Sequence, residues 1–140
     1  MPIEVETRNL EGRVTALGSA GHFTLVVDRP AEAGGGGRGF NGGQLLYLSI
    51  AGCISNDLFR EAANRNIKLD QVVVRVTGDF AGDPAVSTEV AYEVSIGGQA
   101  DDETLRGLID HVDRIAEIPN SLRGGTAVRL QRATILQNSR

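Results

Sequence analysis

The stretch Phe40–Cys53, "FNGGQLLYLSIAGC", decides how the chain is read, because one end carries a helix start signal and the other the only cysteine of 140 residues. Asn41 can accept a hydrogen bond from a first-turn amide, and Gln44, three residues on, can reach back to the cap, a variant of the capping box. The spacing predicts a helix from Gly42 to about Asn66. Leu45, Leu46, Leu48, Ile50, Ala51, Cys53 and Ile54 leave almost no polar face in its first half, which should therefore be buried nearly all round. One helix offers one face to one sheet, so a second helix or a second subunit should cover the rest, with Leu46, Ile50 and Ile54 at the interface of an obligate homodimer.

Upstream, "IEVETR", "RVTALG" and "HFTLVVDR" are short, β-branched segments separated by Gly-containing turns, the pattern of consecutive antiparallel strands. The Gly-rich stretch from Arg29 to Gly43 has too much backbone freedom to form an element, and Gly34 to Gly37 should be mobile. Downstream, "IKLDQVVVRVTGDF" and "VSTEVAYEVSIGG" read as paired strands with "AGDPA" as the turn between them. "DDETLRGLIDHVDRIAEI" places Leu105, Leu108, Ile109, Val112 and Ile115 at helical spacing, with Asp101 and Asp102 at the positive end of the helix dipole and Pro119 as the stop. The tail "TAVRLQRATILQN" alternates and should be a last strand. Strands followed by helices in this order make an α+β fold, and 140 residues without a linker or repeat make one domain, 1–140.

Composition narrows the function. Apolar residues at 41% and charged residues at 23% indicate a globular chain. A net charge of -4 with scattered Lys and Arg argues against a nucleic-acid partner. No apolar run reaches membrane-spanning length, the N-terminus lacks the apolar stretch of a signal peptide, and a lone thiol suits a reducing compartment, so the cytoplasm is the expected location and no membrane partner is expected. "GGGGRGFNGGQ" lacks the Lys-Ser or Lys-Thr of a phosphate-binding loop. His22 and His111 read as ordinary surface histidines, no Cys/His cluster has metal-ligand spacing, and no Gly-x-Ser-x-Gly is present. Cys53 remains. On its residues alone it is read either as a small core hydrophobe or as a reactive thiol, the latter needing a cation or an amide-rich helix end nearby.

Taken with its surroundings, "FNGGQLLYLSIAGC" resembles the central helix of the OsmC/Ohr family, the osmotically inducible and organic hydroperoxide resistance proteins. That family's pattern runs Asn-Pro-Glu-Glu/Gln-Leu-Leu/Phe to a Cys twelve positions after the Asn, the spacing kept by Asn41 and Cys53. The likeness extends to "TLVVDRP", "VVVRVTGDF", the later amphipathic helix, and "IPNS" where the family has Cys-Pro-x-Ser. The resemblance implies a strongly curved antiparallel sheet with two main helices, assembled as an intertwined homodimer. It implies a thiol peroxidase in which Cys53 attacks an organic hydroperoxide without any cofactor. Arg13, or next Arg8, stands for the family's activating arginine. The family's orienting glutamate falls on Gly43 and its resolving cysteine on Ile118. An external thiol would then have to reduce Cys53. The alternatives are a non-catalytic protein of the same fold holding an apolar small molecule beside Cys53, and a purely structural dimer.

Overall fold

The computed structural model describes residues 1–137. Its elements confirm the α+β class, with antiparallel strands and three α-helices. Strands β1 (Glu6–Asn9), β2 (Ala16–Ala20) and β3 (Phe23–Val27) form a meander, Arg8 facing Leu17 and Gly18 facing Leu25. Apolar side chains of this meander stay open to solvent in the single chain, with Leu17, Leu25 and Val26 all exposed and Phe23 82% so.

The Gly-rich segment is a loop wrapped around one carboxylate. Asp28, at the end of β3, is buried and gathers four donors: the Thr15 hydroxyl at 2.8 Å and the backbone amides of Arg29, Gly36 and Arg38 at 2.7, 3.0 and 3.2 Å. A 3-10 turn at Ala31–Ala33 tightens the wrap, and a Cβ on Gly35 would lie 2.1 Å from the Arg29 carbonyl oxygen, so glycine there serves close packing. The bond from the Gly36 amide, then that from Thr15, holds the Asp28 carboxyl down at about 2. Because the folded value lies below the ordinary 3.8, this contribution to stability is complete above pH 3.8 and is lost as pH falls through about 2. Expected, therefore, is a thermal midpoint that falls more steeply between pH 4 and 2 in wild type than in Asp28→Asn. Parallel melting curves would contradict this.

Helix α1 (Gly42–Asn64) starts where expected, and both halves of the capping box form: Gln44 N donates to Asn41 Oδ1 at 2.9 Å and Asn41 N to Gln44 Oε1 at 3.0 Å. The hairpin of β4 (Leu69–Thr77) and β7 (Ala91–Gly98) also forms, with Val74 opposite Val94. Its tip carries a second small pair, β5 (Phe80–Ala81) and β6 (Val86–Ser87), which encloses the expected turn. Helix α2 (Asp102–Ile115) is capped by Asp101, whose Oδ1 accepts from Thr104 N at 2.8 Å. Ile50, Ile54, Leu58 and Ala62 of α1 meet Leu108 and Val112 of α2 and the inward valines of β4, forming the core.

Three expectations fail. Pro119 does not end the second helix: α2 stops at Ile115, Ala116 is extended, and a third helix, α3 (Glu117–Gly124), holds Pro119 in its first turn. A proline ring clashes with the carbonyl four residues earlier, which is Ile115, whereas in a first turn the missing N–H costs nothing. The tail is not a strand within this chain. Residues 126–137 form no strand pairing, and Val128 and Leu136 are 93% and 92% exposed; Asn138 lies outside the described residues. Alternation makes a strand only where a neighbouring edge supplies hydrogen bonds. The interface expected on α1 also needs correction, because Ile50 and Ile54 are spent on the chain's own core. The face left open carries Leu48 at 49% exposure, so α1 is not covered all round by its own chain.

Candidate functional site

Cys53 lies midway along α1, half-buried at the margin of the core. Its sulfur donates to Asp57 Oδ2 at 4.0 Å, one helical turn on. Asp57 is only 6% exposed, and its Oδ1 pairs with the Arg60 guanidinium at 3.0 Å. Arg60 continues to Glu61 at 3.4 Å, and Glu61 Oε1 meets His111 Nε2 of α2 at 2.7 Å. A line of polar contacts thus runs from the thiol to the second helix. His111, expected as an ordinary surface residue, ties the two helices and, ahead of Arg60 and Asn64, holds Glu61 below the usual carboxylate range.

Arg13 occupies the β1–β2 turn, exposed, its amide bonded to the Leu10 carbonyl at 2.8 Å. Arg8 on β1 pairs with Glu6 at 3.2 Å. Within one chain, among the described residues, neither is bonded to Cys53 or Asp57. The cation nearest in this network is Arg60. Its spacing of seven from Cys53, two helical turns, puts it on the same side of the helix, a signal present in the sequence.

The space beside Gly43 is filled. A Cβ on Gly43 would meet the Phe80 ring at 2.8 Å, and Phe80 stacks on Tyr47 with centroids 5.7 Å apart and planes 15° from parallel. Tyr47 is pinned by Ser87 Oγ at 2.8 Å and donates to the Asp79 carbonyl at 3.1 Å. The β5–β6 tip is thereby docked on the start of α1. Gly43→Ala should push the Phe80 ring off Tyr47 and lower stability by about 1 kcal/mol, the scale of an aromatic pair. Adding Phe80→Ala should remove that penalty in a double-mutant cycle, and a coupling near zero would refute the contact.

Ile118 sits in the first turn of α3 and packs on the same core as Cys53. The corner between α2 and α3 is tied by Arg123, which reaches Asp113 at 2.8 Å, and by the hydroxyl of Tyr92 on Asp113. Burial, then that bond, pushes Tyr92 up to about 12. Two open clefts flank α1. One of about 430 Å³ runs along β4 past Phe40, Tyr47, Leu48 and Arg75, and one of about 460 Å³ lies between α1, β7 and α3. Cys53 lines neither. Among the described residues no helix is long and apolar enough to cross a membrane.

A capped central helix with a thiol at its middle, laid across an antiparallel hairpin and backed by a second helix, defines the fold class independently of any name. Residues 34–131 match the family model for the OsmC-like protein, and the chain belongs to that family. Solved structures agree in fold. An OsmC-like protein from Mycoplasma pneumoniae is 18% identical with a TM-score of 0.76, and 89% of each chain is covered. An organic hydroperoxide resistance protein OsmC from Legionella pneumophila is 18% identical, covering 89% of this chain and 90% of that one, with a TM-score of 0.64. The organic hydroperoxide resistance protein OhrB of Bacillus subtilis is 20% identical, covering 89% and 93%, at 0.60. No curated protein matches in sequence.

Proposed function

We propose that this protein is a single-cysteine hydroperoxide reductase working as an intertwined homodimer. One observation supports the reading: Cys53, which the resemblance aligns with the family's attacking cysteine, is half-buried on α1 instead of sealed in the core. The Legionella and Bacillus proteins of like fold are described as organic hydroperoxide resistance proteins, which supports an organic hydroperoxide as substrate.

The Cys53 sulfur attacks the terminal peroxide oxygen, the S–O bond forms as the O–O bond breaks, and the thiol hydrogen ends on the alkoxide, which leaves as an alcohol. The sulfur becomes a sulfenic acid. With Ile118 where a resolving cysteine would stand, an external thiol attacks it, releasing water and leaving a mixed disulfide. A second thiol then frees Cys53. Such thiols are plentiful in the cytoplasm, the proposed location. No step calls for a cofactor.

The dimer follows from what one chain leaves unfinished: an apolar meander open to solvent, the Leu48 face of α1, and an extended apolar tail. Such surface calls for a partner, and a second copy supplies the matching edges. In that assembly Arg13, on the unpartnered meander, reaches the partner's thiol.

The test is consumption of cumene hydroperoxide by wild type and Cys53→Ser, with and without dithiothreitol. Dithiol-dependent consumption confined to wild type is expected. Equal traces would reject the reading in favour of a second one, a non-catalytic holder of an apolar small molecule, which the Phe80 filling beside Gly43 and the apolar cleft along β4 favour.

A further inference from the structure

Thr15 closes the β1–β2 turn two residues after Arg13 and is only 5% exposed. The turn is shaped from within: Leu10 N donates to the Thr15 carbonyl at 2.9 Å, Arg13 N to the Leu10 carbonyl at 2.8 Å, and Asn9 Nδ2 to the Arg13 carbonyl at 3.1 Å. Its tie to the segment before α1 is the Thr15 hydroxyl, which donates to Asp28 Oδ2 at 2.8 Å across thirteen positions. The same carboxylate takes the Gly36 and Arg38 amides of that segment. The segment's end is bonded to β3 by Phe40 N on the Val26 carbonyl and Asp28 N on the Phe40 carbonyl, both at 3.0 Å. Packing agrees with the bonding: a Cβ on Gly36 would lie 2.8 Å from Asp28 Oδ2 and 3.0 Å from Thr15 Oγ1, so the loop backbone sits directly against the pair. One carboxylate joins the Arg13 turn, the end of β3 and the entry to the thiol helix.

We infer that Thr15 and Asp28 are positioning residues for Arg13: the hydroxyl–carboxylate bond locks the Arg13 turn to the entry of α1, so that each chain presents its arginine to its partner's thiol from a preset position. This role rests on the proposed function, in which Arg13 serves the partner's site. Arg13 is itself exposed and, among the described residues, makes no ion pair, so its own side chain does not fix it. An arginine loses rotamer freedom when it engages a reacting centre, and a drifting backbone beneath it adds to that loss. Fixing the turn beforehand confines the remaining search to the side chain. A buried carboxylate suits the task because its two oxygens accept several bonds at once and it is costly to leave unbonded. Of its four donors only Thr15 uses a side chain, so replacing Thr15 frees the turn and leaves the three backbone bonds in place.

Thr15→Val keeps the shape of the side chain and removes its donor. Consumption of cumene hydroperoxide by the full-length protein should fall about tenfold, and Thr15→Ser should retain the wild-type rate. In an Arg13→Gln background Thr15→Val should have no further effect, because the group it positions is already gone. Mixed dimers of Thr15→Val with Cys53→Ser subunits, isolated by two affinity tags, should regain close to the wild-type rate per intact thiol, since that thiol then meets an arginine on an intact turn. A general loss of structure would add to the Arg13→Gln defect and would stay with the Thr15→Val subunit. Additivity, absence of repair, or an unchanged rate in Thr15→Val therefore overturns the inference. Thr15→Ala, which leaves room for a water on Asp28, is a second variant of the same expected behaviour should Thr15→Val fail to fold. Amide hydrogen exchange reads the tie without any activity: Leu10 and Arg13 should exchange about fivefold faster in Thr15→Val than in wild type, the scale of one lost hydrogen bond. Unchanged exchange at both removes the tie. If wild type consumes no hydroperoxide while exchange at the turn quickens as expected, the proposed function fails and the tie between turn and helix stands.

Discussion

Truncation after Gly125 is expected to abolish the dimer. The tail from Thr126 to Gln137 holds Val128, Leu130, Ile135 and Leu136 almost wholly in solvent in the single chain. As a strand against a second copy, the same residues would bury their apolar side chains and satisfy a row of backbone groups. Sedimentation velocity at micromolar concentration should give a dimer for the full chain and a monomer or aggregate for the truncated one. A full-length monomer, or an undisturbed truncated dimer, would overturn the intertwined assembly.

The second large effect concerns Arg13. Replacing it by Gln should reduce hydroperoxide consumption about a hundredfold, the usual scale for removing one charged or hydrogen-bonding group from a reacting centre. Because Arg13 lies on a meander detached from Cys53 in its own chain, the loss should be repaired in trans. Mixed dimers of Arg13→Gln with Cys53→Ser subunits contain one site with an intact thiol and an intact arginine, so co-refolding should restore activity far above that of either parent. A mixture no more active than its parents would remove Arg13 from the partner's site.

Local signals were legible from the residues, and pairings across distance were not. Asn41 and Gln44 sit three residues apart and cap α1 as a short-range rule requires, and the alternation through Tyr92, Val94 and Ile96 is enough to recognise β7. Pro119 misleads because proline stops a helix or begins one, and only the break at Ala116 decides which. Four glycines suggest a loop without internal order, yet Asp28 accepts from the Gly36 amide eight residues on, and Gly34, Gly35 and Gly37 donate to the Ala31, Pro30 and Arg29 carbonyls. The tail alternates as a strand does, but among the described residues no edge of this chain pairs with it.

The site divides in the same way. Cys53 and its spacing from the cap were readable, as were the substitutions at Gly43 and Ile118. That Phe80, thirty-seven positions after Gly43, fills the space beside it depends on the β5–β6 tip folding back onto α1. Asp57 reads as a surface residue until α1 is packed, because burial of a charge is a tertiary property and no sequence period announces it. His111 likewise acquires its role only where α2 crosses α1.

The central claim is that Cys53 reacts with an organic hydroperoxide, and intact-mass spectrometry after one equivalent of cumene hydroperoxide tests it most directly. Expected are addition of one oxygen atom to wild type, its capture by dimedone, its reversal by dithiothreitol, and no addition to Cys53→Ser. A wild-type mass that does not change while the hydroperoxide remains intact would contradict it.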